Sequence, residues 1–225
     1  MHQFSKATFK FLTELRANNT RDWILANKDS YETEVRQPFL DLIAGLAPGL
    51  KKIDPSILAD PSPTGGSMMR IHRDIRFSKD KSPYKTFVAA HFGRGKGMDE
   101  GSPGFYLRIE PDASLAGGGL WQPDNGALGQ IRHKIANDPD AWRRVTTGRE
   151  LGRMCTLAGE SLKRPPAGYD ANHPLIEDIK RKDFAVSSSL TETEVCDPGF
   201  KDLLLERYRS IAPFLRFLSE AIGSP

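Results

Sequence analysis

Cysteine, long apolar runs and histidine clusters are scarce in this chain of 225 residues, and each absence excludes a class of protein. Two cysteines, Cys155 and Cys196, are too few for a disulfide scaffold, so we expect buried structural thiols in a reducing compartment. The longest stretch without a charge, 113–123, is much shorter than the roughly 20 apolar residues that cross a bilayer. The five histidines show no metal-ligand spacing. We therefore expect no membrane insertion, no metal and no other cofactor.

The N-terminal residues lead directly into a helical pattern, without the apolar stretch of a signal peptide. Together with the low cysteine content, this predicts a cytoplasmic protein. A length of 225 residues, of which 38% are hydrophobic, is enough for a core that needs no disulfide or metal. We therefore predict a single domain over residues 1–225.

The net charge is small but very unevenly distributed. The formal total is only +3 at pH 7. Between Arg70 and Lys96, eight Lys or Arg residues and two acids, Asp74 and Asp80, give a local charge of +6, so the rest of the chain sums to −3. Cations held so closely repel one another unless an anion or a carboxylate neutralises them. This basic segment is therefore the first place to look for function.

Helical patterns at both ends of the chain enclose a central group of strand patterns. Apolar residues recur at helical spacing at the N-terminus and again in the last quarter of the chain. The order of elements predicts an α+β fold, with a central, mostly antiparallel sheet flanked by N-terminal and C-terminal helices. Strands are predicted at 68–73, 86–92, 104–111, 114–121 and 184–190.

Proline and asparagine mark predicted breaks in the helices. Pro38 and Pro213 lack an N–H and should kink the helices that contain them. Asn18 and Asn19 are predicted to end the first helix, since asparagine tolerates the left-handed conformation. The glycine-rich stretch 93–97 is expected to be a flexible connection between strands.

The basic segment contains the residue types of an anion site. Arginine donates two parallel hydrogen bonds to phosphate or carboxylate, and lysine supplies a movable point charge. Alternatively, Asp74 and Asp80 neutralise their neighbours and the array only locks a loop to the core. The predicted ligand-binding residues are Arg70, Arg73, Arg76, Lys79, Lys81, Tyr84, Lys85 and Trp121.

Three apparent motifs carry less weight. The letters His72-Arg73-Asp74 match a protein-kinase catalytic loop, but Lys79 stands where that loop needs Asn. The glycines of 93–97 lack the spacing of a dinucleotide-binding fingerprint. In 117–121, three glycines precede Trp121, which either stacks on a planar ligand or, as we favour here, is a buried anchor after a β-bulge. His72 and His91 flank the basic segment on predicted strands.

The stretch from Arg70 to Thr86 closely resembles the signature R-x-x-R-D-x-R-F-S-K-D-K-x-P-Y-K-T of domain-of-unknown-function family 2461, conserved hypothetical proteins of bacteria and fungi. The resemblance covers essentially the whole chain, through N-N-x-R-D-W, G-G-G-L-W-x-P and L-K-R-P-P-x-G-Y at 18–23, 117–123 and 162–169. Phe105 and Arg108 stand where relatives are expected to have Tyr and often His, so different contacts are predicted there. The resemblance implies a cytoplasmic stand-alone domain and assigns no reaction or ligand.

Four functional hypotheses follow. The preferred one is a module that binds a phosphorylated or carboxylated small molecule through residues 70–85. The second is an enzyme, a hydrolase or group transferase acting on such an anion, with Asp74 or His72 as the acid or base. The third, nucleic-acid binding, is not favoured because the aromatic residues are sparse and the isoelectric point of 8.8 is low for such a domain. The fourth is a purely structural Arg–Asp network.

Overall fold

One antiparallel sheet lies at the centre of the protein. A computed structural model describes residues 4–95 and 101–223, and in this part of the chain five strands are ordered β1-β2-β3-β5-β4. Every neighbouring pair is antiparallel, as expected from the sequence. The strands are β1 (Val88–Phe92), β2 (Gly104–Ile109), β3 (Leu115–Leu120), β4 (Thr156–Ala158) and β5 (Phe184–Ser189).

Helices precede, interrupt and follow the strands, which confirms the predicted α+β fold with helices at both ends. The longest, α10, packs on β3 and on α4. No helix in the described residues is long and apolar enough to cross a membrane. The helices are α1 (Lys6–Ala17), α2 (Arg21–Ala26), α3 (Lys28–Tyr31), α4 (Gln37–Ile53), α5 (Asn125–Asn137), α6 (Pro139–Thr147), α7 (Arg149–Met154), α8 (Ile176–Ile179), α9 (Glu192–Cys196) and α10 (Phe200–Ala221).

The two faces of the sheet have different surroundings. On β2, Phe105, Leu107 and Ile109 are fully buried in the core, whereas Tyr106 and Arg108 alternate with them and are only half-buried. The core face is covered by α10, so closely that a Cβ on Gly118 would lie 2.9 Å from Ile211 Cγ2. The helices therefore leave the other face of the sheet partly open.

The predicted strands are confirmed with shorter bounds, except at the edge of the sheet beside β1. The stretch 68–73 makes only isolated bridges, Met68 to Ala90 and His72 to Tyr84. The bridged positions are four residues apart on one side of the pair and six apart on the other, so the two additional residues interrupt a regular ladder. The short strand β4 has too few residues to produce a detectable alternation in the sequence.

Where a kink was predicted at Pro38, the structure shows a change of helix type just before this proline. A single π-helical turn, Glu32–Arg36, leads into α4, and Pro38 occupies the first turn of that helix. Pro38 has no N–H to donate to the carbonyl of Glu34, four residues earlier. The hydroxyl of Thr8, which is fully buried on α1, donates to this carbonyl instead at 2.7 Å. Pro213 lies inside α10, as predicted.

The left-handed end predicted for the first helix is wrong. Asn18 ends α1 with φ at −127°, and its side-chain amide donates to the carbonyl of Glu14 at 2.9 Å. Asn19 is also absent from the residues with positive φ in the described part of the chain. The hydrogen bond from the Asn18 side chain thus satisfies a carbonyl at the end of α1, which a left-handed turn was expected to do.

The substitution Thr8→Val tests the role of the buried hydroxyl. We expect the free energy of unfolding to fall by about 1–3 kcal/mol, because the carbonyl of Glu34 loses its donor in a buried place. Urea denaturation followed by circular dichroism measures this change. Thr13→Val, at an exposed site on the same helix, is the matched control and should stay within about 0.5 kcal/mol of wild type. Equal losses in the two variants would contradict the assignment.

Candidate functional site

The open face of the sheet forms a cleft with a volume of about 640 Å³. We call it the sheet cleft. Its lining is mainly glycine and apolar residues, with a small number of polar side chains, which is the usual make-up of a ligand pocket. The lining residues that matter below are His91, Tyr106, Arg108, Gly117, Gly119 and Trp121.

Glycines on β3 create the floor of the sheet cleft. A Cβ on Gly117 would lie 2.5 Å from the carbonyl oxygen of Val186, and one on Gly119 would overlap the carbonyl of Phe184. Gly119 also has φ at +146°, which L side chains rarely adopt. The β-bulge expected here is absent, because the register of β3 with β5 runs through these residues without an extra residue. The glycines instead allow close approach of two backbones.

Trp121 is not the buried anchor that we favoured from the sequence. It is 57% exposed and lies at the rim of the sheet cleft, directly after β3. The turn that follows it contains Gln122 with φ at +48°, and the N–H of Gln122 donates to the Asp183 carboxylate at 2.9 Å. The turn thus holds the indole at the surface.

His91 lies against the backbone at the β1 side of the sheet cleft. A Cβ on Gly93 would come within 2.8 Å of its Cε1 atom, and a Cβ on Gly104 would overlap its Nε2 atom. Two glycines therefore make the space that the imidazole occupies. Its cross-strand partner is Tyr106, whose pKa is raised by burial. Of the two histidines singled out in the sequence, His91 is the one that lines the sheet cleft.

Arg108 supplies the strongest positive charge in the lining of the sheet cleft. Its guanidinium lies over the ring of Phe87, with Cζ 4.1 Å from the ring centroid, and it pairs with Glu110. Glu110 also accepts a hydrogen bond of 3.1 Å from the Thr86 hydroxyl. The Nε donor of Arg108 is buried and has no hydrogen-bond acceptor in the described part of the chain. Arg108 was not among the predicted site residues, although strand alternation places it opposite the core face.

Residues 70–86 of the basic segment form an irregular arm at the edge of the sheet, which we call the arm. Backbone hydrogen bonds join its two sides, from Lys85 to Ile71 at 2.7 Å and from Arg73 to Pro83 at 2.9 Å. Asn19 fixes this arm to the N-terminal helices. Its side-chain amide donates to the carbonyl of Tyr84 at 2.9 Å and accepts from the Tyr84 N–H at 3.0 Å, as a neighbouring strand would.

Two arginines of the arm are neutralised within it. Arg73 pairs with Asp80, and Arg76 pairs with Asp74 at 2.6 Å. A hydrogen bond from Arg76 lowers the pKa of Asp74 to about 2, and hydrogen bonds from Ser82 are the main cause that lowers the pKa of Asp80 to about 2. Asp74 is therefore ionised at neutral pH and poorly suited to exchange a proton there.

Four cations of the arm form no ion pair. In the described part of the chain, no carboxylate lies within ion-pair distance of Arg70, Lys79, Lys81 or Lys85, although the charge of Asp74 acts on Arg70. The pKa of Lys85 is lowered, first by burial and second by the nearby charge of Arg70. Lys85 Nζ lies 5.9 Å from the centroid of the Phe87 ring that also carries Arg108. Positive charge from Lys85 therefore lies beside the Arg108 end of the sheet cleft.

Apart from Trp121, none of the predicted ligand-binding residues lines the sheet cleft. Lys81 donates to the backbone carbonyl of Ile75 at 3.0 Å. Tyr84 is 6% exposed, and its ring packs 5.0 Å from the ring of exposed His72. Lys96, the last cation of the basic segment, and part of the predicted connection 93–97 lie outside the described residues.

Neither a metal centre nor a reactive thiol is evident in residues 4–95 and 101–223. No group of three or more His, Cys, Asp or Glu residues there is arranged to hold a metal ion. Burial raises the pKa of both Cys155 and Cys196, which keeps the thiols protonated at neutral pH.

Comparison with known proteins identifies a family. A family model described as conserved hypothetical protein (DUF2461) matches residues 7–217, a range that includes the sheet cleft and the arm. No curated protein and no solved structure gives a significant match.

The variant Asn19→Ala tests how the arm is held. We expect faster hydrogen exchange across residues 70–86, because the N–H and C=O groups of Tyr84 lose their partners, and a loss of about 1–2 kcal/mol in stability. Exchange followed by mass spectrometry measures the effect segment by segment. Asn18→Ala, which removes only an exposed bond at the end of α1, is the control and should leave the arm protected. Identical exchange of the arm in the two variants would contradict the role of Asn19.

Proposed function

We propose that this chain, which belongs to the family described as conserved hypothetical protein (DUF2461), binds a phosphorylated or carboxylated small molecule. The anion occupies the end of the sheet cleft where Arg108 lies over the ring of Phe87, with Lys85 and its neighbour Arg70 of the basic segment beside it. The observation that carries the proposal is that Lys85 lies at the same Phe87 ring as Arg108 and forms no ion pair with a carboxylate in the described part of the chain.

Repulsion between like charges supports this site. The pKa of Lys85 is lowered first by burial and second by the charge of Arg70, so the two like charges repel each other. Elsewhere in the arm, Asp74 and Asp80 each neutralise one arginine. Lys85 forms no ion pair with a carboxylate in the described part of the chain, and the Asp74 charge that acts on Arg70 is shared with Arg76, so a bound anion would relieve the remaining repulsion. The proposal therefore combines two of the hypotheses from the sequence: one part of the arm is a structural Arg–Asp network, and another part contributes to an anion site.

The orientation of Arg108 also supports this site. The ring of Phe87 supports one face of its guanidinium, and Glu110 accepts from a single nitrogen, Nη2. A guanidinium has five N–H donors, so donors remain for a phosphate or carboxylate. Because Glu110 and Phe87 already hold the side chain, less conformational entropy is lost when a ligand binds.

The sheet cleft also has room for a ligand. The volume of about 640 Å³ suits a small organic molecule, and the glycine floor lets the ligand approach the backbone of β3. Arg108 lines this cleft, whereas neither Arg70 nor Lys85 is among its lining residues.

An enzyme that hydrolyses or transfers a group of such a ligand is the second candidate function. The observation in its favour is the position of His91, fixed by Gly93 and Gly104 in the same cleft as Arg108. A histidine there is better placed for proton transfer than His72 or Asp74, which do not line the sheet cleft.

Titration calorimetry with inorganic pyrophosphate and with citrate, at low ionic strength, tests the proposal. We expect binding by the wild-type protein and at least a roughly tenfold weaker affinity for Arg108→Gln and Lys85→Gln, since each removes one charge-assisted contact. Lys79→Gln, on the same arm and also without an acidic partner, is the matched control and should change affinity by less than about threefold.

Circular dichroism melting of every variant separates loss of binding from loss of fold. Equal affinities in wild type and in the two cleft variants would overturn the proposal. So would an effect of Lys79→Gln as large as that of Lys85→Gln, because binding would then reflect the charge of the whole arm.

A further inference from the structure

We infer that the ligand of the sheet cleft carries a flat aromatic ring in addition to its anionic group, as a nucleoside phosphate does, and that Trp121 stacks on this ring. The inference rests on the proposed function, because the anion is placed at Arg108. It adds the chemical class of the ligand and assigns a role to the opposite end of the sheet cleft.

The two ends of the sheet cleft, at Arg108 and at Trp121, are far apart. Arg108 and Trp121 line the same cleft. In the β2–β3 ladder, Arg108 is paired with Leu115, at the start of β3, whereas Trp121 follows the last residue of that strand. At about 3.4 Å per residue, roughly 20 Å of chain separates Leu115 from Trp121. An isolated phosphate or carboxylate cannot reach both ends, and an elongated ligand of nucleotide size can.

Trp121 is exposed and yet firmly placed. Its neighbour Gln122 donates its N–H to one oxygen of the Asp183 carboxylate at 2.9 Å. The other carboxylate oxygen accepts the N–H of Glu160, also at 2.9 Å. Asp183 is only 4% exposed and forms no ion pair in the described part of the chain. A buried carboxylate is thus committed to two backbone amides, and one of them fixes the residue next to the indole.

The backbone around Asp183 is adapted to this role. Gly159 has φ at +99°, and a Cβ there would overlap the side chain of Asp183. Gln122 itself adopts a positive φ of +48°, which costs a non-glycine residue conformational energy. The indole of Trp121 is therefore held at the rim, where it buries little of its own surface. The features that hold it are the turn at Gly159, the strained Gln122 and the buried carboxylate of Asp183.

The floor beside the indole is made of small residues. Gly119 is paired with Ala185 across β3 and β5, and Ala185 with Ala158 across β5 and β4, and all three line the sheet cleft. These side chains are the smallest available, so the open face of the sheet is low and flat here. A planar ring fits between such a floor and an indole, whose stacking on a nucleobase contributes roughly tenfold or more to affinity.

Binding of ATP, adenosine and tripolyphosphate to the wild-type protein, followed by calorimetry and by tryptophan fluorescence, tests the inference. We expect ATP to bind at least about tenfold more tightly than tripolyphosphate and to quench fluorescence. Trp121→Ala should weaken ATP binding by about tenfold and leave tripolyphosphate unchanged. Trp121→Phe should keep most of the ATP affinity and lose the quenching, although Trp23 and Trp142 remain. Leu25→Ala, at another exposed large side chain, is the control for surface truncation and should change neither affinity.

The possible results separate this inference from the proposed function. If ATP binds no more tightly than tripolyphosphate, and both depend on Arg108, the anion site stands and the ring-binding role of Trp121 is overturned. If adenosine binds as tightly as ATP and Trp121→Ala weakens both, ring stacking stands and the proposed anion site is overturned. Absence of binding by all three compounds, or binding insensitive to both Arg108→Gln and Trp121→Ala, overturns the two together.

Discussion

The close approach of strands β3 and β5 is the constraint on which the rest of the structure depends. Gly117 and Gly119 permit it, since a side chain at either position would meet the carbonyl oxygens of β5. The same strand lets α10 pack tightly on its other face through Gly118. One run of glycines therefore produces a densely packed core on one face of the sheet and an open, low floor on the other. The sheet cleft is a direct consequence of this difference.

Charge is distributed around the sheet cleft in two ways. In the arm, Arg73 and Arg76 are matched by Asp80 and Asp74, which gives the arm an internal framework. Beside the sheet, Lys85 forms no ion pair in the described residues, Arg70 shares the charge of Asp74 with Arg76, and Arg108 is held between Phe87 and Glu110. The first arrangement stabilises a shape, and the second leaves positive charge available to a ligand. In the sequence, the arginines that stabilise the arm and those that are available to a ligand lie close together and cannot be told apart.

The sequence predicted local structure well where hydrophobic periodicity decides it, and poorly where one side chain reaches a distant backbone. Alternation in 104–111 located β2 and placed Arg108 on the open face, but it could not show that Phe87 and Glu110 orient the guanidinium. The roles of Asn19, which binds the backbone of Tyr84, and of Thr8, which replaces the N–H that Pro38 lacks, depend on tertiary contacts. For the same reason, the exposure of Trp121 follows from Asp183, far along the chain, and its burial was wrongly expected.

A crystal structure of the wild-type protein grown with tungstate, an electron-dense analogue of phosphate, would show where the protein binds an anion. We expect tungstate density in the sheet cleft within hydrogen-bonding distance of the Arg108 guanidinium, with Lys85 or Arg70 also directed towards it. Density confined to the tip of the arm, beside Arg76 or Lys79, or an empty Arg108 end at saturating tungstate, would contradict it. The position of one heavy atom thus decides whether the open face of the sheet is the binding site.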